Sequence, residues 1–212
     1  MTMDNLLKTI ERLKRDDAGV IALVDARIKE FEETCKKPCG EIFKELCFCI
    51  LTANFTAEKS IKIQETIDDG FLTLFESQLA DKLKELGYRY PNIRAKYIVE
   101  ARRYKDSLKE IVESFDNEYE SREWLVKNIK GIGYKEASHF LRNIGYKKSA
   151  IVDFHIIDLL ARCGLIEKPK TLTKTKYIEI EGLLWKIAEK SSMNLAELDL
   201  YLWYIETGKV LK

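Results

Sequence analysis

Helical periodicity is the feature of this 212-residue sequence that most constrains its fold. Apolar residues recur every three or four positions in almost every segment, as Leu6, Ile10 and Leu13 do near the N-terminus. That spacing places them on one face of a helix. No alternating run is long enough, or suitably bounded by turns, to predict a strand. The pattern therefore predicts an all-α protein, in which residues 92–112 form one of the longer helices.

Short joints divide these helical segments without separating the chain into independent parts. Glycine, proline and lysine cluster near 37–40, 87–92, 130–133, 145–153 and 164–174, where they predict turns. We find no internal repeat and no low-complexity linker. With 46% apolar residues, a chain of this length can bury a substantial core.

The composition argues against a membrane span, a secretion signal and a metal site. The longest stretch without a charge, Leu46–Ala57, is shorter than the roughly 18 apolar residues that a spanning helix needs. The N-terminal segment is charged and amphipathic, without an apolar signal core. The cysteines lack the paired CxxC spacing of zinc sites, so we interpret them as buried or free thiols, with zinc binding as the less favoured alternative. They are Cys35, Cys39, Cys47, Cys49 and Cys163.

A net charge of +1 hides two oppositely charged stretches. Acidic residues dominate 110–123 and basic residues dominate 124–150. Such runs are usually solvated helix faces. The basic run, however, is centred on a glycine turn between two predicted helices. Positive charge that attracts phosphate thus coincides with a backbone turn whose shape can bind a phosphate.

That turn, Lys130–Gly133, is the candidate anion site. Gly131 and Gly133 permit unusual backbone angles and a close approach of another chain, and the free amides that begin the next helix attract an anion. The pattern is that of a helix–hairpin–helix, a grip on the nucleic-acid backbone that does not read sequence. An ordinary corner between two helices, with glycine as the C-cap, fits the turn equally well.

Lys135 and Asp153 are the candidate reactive pair. By position alone, Asp153 is the N-cap of an apolar helix, and Lys135 is a counter-charge for a phosphate. A short return after the helix that starts at Tyr134 could bring the two side chains together. A lysine attacks only when neutral, and burial beside other cations favours loss of its proton. A nearby carboxylate can accept that proton or stabilise a developing positive charge. The pairing therefore favours a nucleophile.

The two motifs together resemble a known superfamily. "GIGYK" at 131–135 and "VDFH" at 152–155 match, in order and separation, the GxGxK and VDxH motifs of the helix–hairpin–helix DNA glycosylases, the endonuclease III-like superfamily. The resemblance implies that Lys135 forms a Schiff base, that Asp153 is the essential carboxylate, and that Lys130, Gly131 and Gly133 hold the DNA backbone.

The resemblance also implies an architecture. It predicts one glycosylase unit, residues 1–212, built of two helical lobes with the active site in the cleft between them. One lobe would span about 55–145 and contain the hairpin at 125–145. The other would combine 1–54 with 146–212.

Two absences and the C-terminal segment narrow the resemblance. Only Cys163 follows Asp153, so the four-cysteine iron–sulfur cluster of endonuclease III is not expected, and the chain has no room for an extra N-terminal β-domain. With "YRYPNIRAKYIVEARR" at 88–103 and "LYLWYIETGKVLK" at the end, the chain resembles, over nearly its full length, the archaeal and bacterial type-2 8-oxoguanine DNA glycosylase/AP lyases.

That family implies roles for three more residues. Asn54 would fill the space left by the extruded base, Trp203 would stack on that base, and Lys212 would help to separate 8-oxoguanine from guanine. Because 8-oxoguanine carries an N7–H donor, an acceptor such as the chain-terminal carboxylate could read it, and the sequence leaves open whether that carboxylate or the ammonium acts. Without the family, Asn54 would end a helix and Trp203 would pack in the core. We assign His139 and His155 to packing or phosphate contact.

The sequence thus predicts a bifunctional enzyme of base-excision repair, with DNA N-glycosylase and AP lyase activities. Its partner would be double-stranded DNA containing 8-oxoguanine or abasic sites. We expect a monomer in the cytoplasm of a prokaryote, at the nucleoid, that uses no cofactor except a monovalent cation that the hairpin could bind. The alternatives are a glycosylase/lyase for oxidised pyrimidines or mismatched bases, and a non-catalytic helix–hairpin–helix module.

Overall fold

The protein is described by a computed structural model covering residues 2–212. Over that range it forms thirteen α-helices and one short 3-10 helix, and no strand, which confirms the all-α prediction. None of the helices in this range is long and apolar enough to span a membrane. The α-helices are α1 (Met3–Asp16), α2 (Ala18–Cys35), α3 (Cys39–Thr52), α4 (Ala57–Ile67), α5 (Gly70–Thr73), α6 (Glu76–Glu85), α7 (Pro91–Ala101), α8 (Leu108–Glu113), α9 (Glu118–Asn128), α10 (Tyr134–Asn143), α11 (Phe154–Arg162), α12 (Lys174–Lys190) and α13 (Leu195–Thr207).

The helix predicted over 92–112 is interrupted, contrary to the sequence interpretation. Helix α7 ends at Ala101, a 3-10 turn follows, and α8 begins at Leu108. At the bend, Arg102 donates from Nε to the carbonyl of Phe71 (2.8 Å) and from Nη1 to that of Leu74 (2.6 Å). Phe71 and Leu74 lie at the end of α5, where carbonyls lack partners within the helix. Their contact with Arg102 therefore stabilises a break between α7 and α8 that the local sequence pattern does not show.

Two large hydrophobic clusters form the core. The first runs from Ile42 to Ile144 and is built around α3, whose buried face continues through almost the whole helix. The second joins α1 to α11, α12 and α13. Because α3 packs against α4, α7 and α10, the first cluster begins before the lobe boundary that we placed at residues 54 and 55. A smaller cluster attaches α2 to α13.

A buried ion pair connects these two parts of the protein. Arg122 of α9 donates from both terminal nitrogens to Glu181 of α12, at 2.5 and 2.8 Å. The Glu181 carboxylate also accepts from the amide of Ala150 (2.8 Å). The pair therefore ties the connection between α10 and α11 to both clusters.

Two further side chains hold that connection. Glu118 accepts from the amide of Lys147 at 2.9 Å. The buried hydroxyl of Tyr177 donates to the carbonyl of Ala150 (2.6 Å) and accepts from the amide of Val152 (3.3 Å). An irregular segment with its backbone groups satisfied in this way has a defined path, and the path ends at Asp153.

Candidate active site

A cavity of about 830 Å³ is lined by residues of α10, the start of α11, α13, the turn after α3 and the C-terminal segment. Five of the residues singled out from the sequence line this cavity: Asn54, Lys135, Asp153, Trp203 and Lys212.

The hairpin at 130–133 requires its first glycine. Gly131 has φ +82°, and a Cβ there would lie 2.5 Å from a ring carbon of Tyr97 and 2.8 Å from a guanidinium nitrogen of Arg94. A larger residue is therefore excluded by both backbone angle and space. Gly133 caps α10, and its amide donates to the carboxylate of Glu136 at 3.1 Å. In the absence of DNA, that carboxylate occupies part of the predicted anion site.

The basic stretch 124–150 does not form one cationic surface. Lys130 is exposed and pairs with Glu100 at 2.8 Å. Arg142 is buried and pairs with Asp199. The folded chain therefore divides these charges between the hairpin exterior and the cavity.

Lys135 lines the cavity from the first turn of α10. Its side chain is 24% exposed, and Nζ lies 3.4 Å from a carboxylate oxygen of Glu136. One helical turn further, His139 is buried, and its pKa is lowered well below the ordinary value by burial and by the charges of Arg142, Lys135 and Lys212. The imidazole is therefore neutral at physiological pH.

Asp153 is both a cap and a cavity residue. Its carboxylate accepts from the amide of Ile156 at 3.0 Å at the start of α11. Burial raises its pKa, while the hydrogen bond from Ile156 and the positive charge of Lys135 act in the opposite direction. The two interpretations made from the sequence are thus compatible, because one carboxylate caps the helix and faces the lysine.

A second carboxylate in the cavity was missed from the sequence. The Asp199 side chain is only 10% exposed, and burial raises its pKa to about 6, against the pull of its partner Arg142 and with a further increase from Asp153. It lies four residues before Trp203, on the same face of α13. A lone acid in the apolar segment "LDLYLWYI" was the signal that could have identified it.

The two candidate base contacts both line the cavity. Asn54 is exposed in the turn after α3 with φ +61°, a conformation that asparagine tolerates better than most residues. Trp203 packs edge-on against His155, with ring centroids 4.8 Å apart. Its indole nitrogen is buried and has no hydrogen-bond partner within residues 2–212. Beside it, Phe154 is 65% exposed, an aromatic surface at the cavity mouth that we did not single out.

The C-terminal lysine is anchored by its side chain. Lys212 Nζ donates to Glu45 (2.8 Å) and to Gln64 (2.5 Å), and it lies 4.7 Å from the centroid of the Phe48 ring. Its main chain lies against His139 in the cavity wall. The ammonium is thus engaged within the protein.

The cysteine, histidine and acidic side chains do not form a metal site in the described range. Between residues 2 and 212, no three His, Cys, Asp or Glu side chains are grouped so that they could hold a metal ion. All five cysteines are free thiols, three of them buried. A monovalent cation at the hairpin stays a prediction.

Comparison with known proteins identifies the family. Residues 24–193 match the sequence model of a family described as 8-oxoguanine DNA glycosylase. The chain belongs to this family. The 8-oxoguanine DNA glycosylase/AP lyase of Korarchaeum cryptofilum is 53% identical over the full length of both chains. That of Methanocaldococcus jannaschii is 57% identical over 98% of this chain and 99% of its own. The resemblance drawn from the two motifs is confirmed.

Solved structures of glycosylases in this family share the fold. The Methanocaldococcus jannaschii 8-oxoguanine glycosylase/lyase, in complex with a 15mer DNA containing 8-oxoguanine, superposes with a TM-score of 0.94 at 57% identity and covers 98% of this chain and 99% of its own. The 8-oxoguanine DNA glycosylase of Thermotoga maritima gives 0.92 at 45% identity, with 99% and 100% covered.

Proposed function

We propose that the protein removes 8-oxoguanine from double-stranded DNA and then cleaves the abasic strand, as a bifunctional 8-oxoguanine DNA glycosylase/AP lyase. The observation that carries the proposal is that Lys135 and Asp153 line the same cavity, where the positive charge of Lys135 opposes the rise in the pKa of Asp153 that burial causes. Full-length relatives with this activity in their names support the substrate.

Lys135 is the proposed nucleophile. Its neutral amine attacks C1′ of the damaged nucleotide, the N-glycosidic bond breaks, and the base leaves with the bonding electron pair and takes up a proton. Glu136, 3.4 Å from Nζ, is placed to hold the proton that the amine must release.

Asp153 balances the positive charge that develops on the sugar as the base departs. A carboxylate at a helix start is held rigidly by the first-turn amide that it binds, so it needs no reorganisation when the charge appears. Asp199 places a second negative charge in the same cavity, on the far side of Arg142.

The lyase step follows from the covalent intermediate. Opening of the sugar ring converts the amine adduct into an iminium ion, whose positive nitrogen acidifies the C2′ hydrogen. Loss of that proton to a cavity base expels the 3′ phosphate by β-elimination and breaks the strand. Hydrolysis of the resulting imine returns Lys135 and the cleaved product.

Lesion recognition is assigned to the C-terminal segment. Trp203 offers an aromatic face for stacking on the extruded base, and Asn54 would enter the space that the base leaves in the duplex. Since the Lys212 ammonium is bound by Glu45 and Gln64, the terminal carboxylate is the better acceptor for N7–H of 8-oxoguanine. Guanine has an acceptor at N7 and would leave that carboxylate unpaired.

DNA binding is assigned to the hairpin. The backbone at Gly131 and Gly133 and the start of α10 would bind a phosphate in place of the Glu136 carboxylate, with Lys130 as the counter-charge and with the monovalent cation as an added contact. The proposal includes a monomer that needs no cofactor and acts on chromosomal DNA in a prokaryotic cytoplasm.

A panel of duplexes tests the function. Oligonucleotides that carry 8-oxoguanine, oxidised pyrimidines, a mismatch or a pre-formed abasic site are incubated with the protein, and base release, strand nicking and borohydride-trapped adduct are measured separately. We expect excision on 8-oxoguanine and nicking on both 8-oxoguanine and abasic duplexes. Preferential excision of an oxidised pyrimidine would overturn the substrate, and binding without any adduct would indicate a non-catalytic module.

A further inference from the structure

The C-terminal lysine ends in a polar cradle that the sequence motifs do not account for. Helix α13 stops at Thr207, and the last residues run back across the cavity to α3 and α4. There, the Lys212 ammonium is bound by Glu45 of α3 and Gln64 of α4 above the ring of Phe48. Its side chain is only 17% exposed, and that of Glu45 only 13%.

The cradle is held in place from behind. Gln64 donates from Nε2 to the same Glu45 oxygen that Lys212 uses (2.9 Å) and to the carbonyl of Lys44 (3.1 Å). The other Glu45 oxygen accepts from Nδ2 of Asn143 (3.2 Å). Both carboxylate oxygens therefore accept from donors on different helices, and the carboxylate has one orientation that satisfies them all.

We propose that Glu45 and Gln64 are positioning residues for lesion discrimination, which act through Lys212 by holding its ammonium so that the terminal carboxylate stands in the cavity wall. The inference rests on the proposed function, in which that carboxylate reads N7–H. A chain end has no following residue to restrain it, so its carboxylate would otherwise sample many positions. Anchoring the side chain and packing the main chain against His139 removes that freedom before the base arrives.

The cradle also separates the two charges of the terminal residue. The ammonium is neutralised by Glu45, so it is not free to pair with the carboxylate of its own residue. A carboxylate held beside its own free ammonium would offer a weaker acceptor to the base, because the two charges would compensate each other locally. Glu45 therefore supplies the counter-charge as well as the location.

The direct test is accessibility of the chain end. A carboxypeptidase specific for C-terminal lysine and arginine is applied at a temperature well below unfolding, and loss of Lys212 is followed by mass spectrometry. In Glu45→Gln, the NH2 group of the new side chain must face either the Lys212 ammonium or the Asn143 amide nitrogen, and both are donors. The cradle should therefore open, and we expect Lys212 to be released about ten-fold faster than from wild type. Glu41→Gln is the matched control, because Glu41 lies one turn earlier on α3 and pairs with Lys44. This variant should release Lys212 at the wild-type rate.

The second test is selectivity. Glu45→Gln and Gln64→Met should narrow the ratio of 8-oxoguanine to guanine excision by about five-fold or more, while cleavage of a pre-formed abasic site falls much less. Lys212→Met, which keeps the terminal carboxylate and removes the ammonium, should give a similar loss. The double variant Glu45→Gln/Lys212→Met should be no worse than either single change, because both remove one interaction.

The outcomes distinguish the reading of the base by the terminal carboxylate from the positioning of that carboxylate by Glu45 and Gln64. If deleting Lys212 leaves selectivity unchanged, the carboxylate does not read the base and that part of the proposed function fails. If the deletion narrows selectivity but Glu45→Gln and Lys212→Met do not, the reading stands and the positioning role is overturned. The positioning role is also overturned if the losses of selectivity multiply in the double variant, or if activity on the abasic substrate falls equally. Either result would indicate a general structural contribution.

Discussion

Arg122 and Glu181 form a buried bidentate ion pair whose nitrogen–oxygen distances are 2.5 and 2.8 Å. Their side chains are only 1% and 4% exposed. The pair joins α9, which leads into the hairpin, to α12, and Glu181 also binds the amide of Ala150 on the way to Asp153. One contact thus relates the turn that precedes Lys135 to the segment that carries its partner carboxylate.

Glu181→Gln should strongly reduce stability, because it leaves the Arg122 charge buried without a counter-charge. We expect the free energy of unfolding to fall by about 3 kcal/mol. Glu179→Gln, on the same helix and paired with Lys176 at the surface, should change it by less than about 0.5 kcal/mol. Urea unfolding at pH 7 measures both, and similar values for the two variants would contradict a structural role for the buried pair.

Lys135→Gln should abolish the borohydride-trapped adduct and strand nicking while leaving duplex affinity nearly intact, because the hairpin backbone still binds the phosphate. Lys127→Gln, on the exposed face of α9, serves as the matched control and should form adduct normally. Trapping on an abasic duplex and a binding isotherm measure the two effects. An adduct that persists in Lys135→Gln would place the nucleophile elsewhere.

Asp153→Asn should fold and bind DNA but lose most base excision. Asparagine caps a helix as well as aspartate does, so α11 should keep its start, whereas a neutral amide cannot balance the sugar cation. Single-turnover excision of 8-oxoguanine, together with the melting temperature, separates the two roles. If excision stays within a few-fold of wild type, the carboxylate is only a cap.

The acid limb of the pH–rate profile should depend on Asp199. In the proposed mechanism excision requires the Asp153 carboxylate, whose pKa is raised by burial, so activity should fall at a pH above the ordinary range of an aspartate. Asp199→Asn removes a neighbouring negative charge and frees the positive charge of Arg142. Both changes lower the pKa of Asp153, so the limb should move to lower pH, by about half a unit or more.

Asp158→Asn is the control for that shift. This carboxylate also lies on α11 but pairs with Lys168 and does not line the cavity. The pH–rate profile of Asp158→Asn should coincide with that of wild type. A limb that is unmoved in Asp199→Asn would mean that the two cavity carboxylates titrate independently.

Deleting Lys212 should narrow the preference for 8-oxoguanine over guanine by about ten-fold or more, equivalent to 1.4 kcal/mol. Cleavage of a pre-formed abasic site has no base to read and should change little. A tag at the C-terminus should act like the deletion, and the same tag at the N-terminus should have no effect. Equal losses on both substrates would mean that the tail only supports the fold.

Local patterns determined the parts of this protein that depend on neighbouring residues in the chain. The apolar spacing predicted the helices, which follow from backbone geometry over a few turns. The resemblance of "GIGYK" and "VDFH" to known motifs proposed Lys135 and Asp153 as the reactive pair, and these roles stay predictions. The family resemblance supplied Asn54, Trp203 and Lys212, whose roles as base contacts stay predictions.

Tertiary structure decided what depends on residues far apart in sequence. The break in 92–112 arises because Arg102 binds carbonyls of α5, which no local pattern records. Asp199 reaches the cavity only because α13 packs beside α11. The Lys212 ammonium is engaged by Glu45 on a helix from the opposite part of the chain. Burial, charge pairing and side-chain partners emerge when distant segments pack together, so a single sequence can propose candidate reactive residues but not the contacts that orient them.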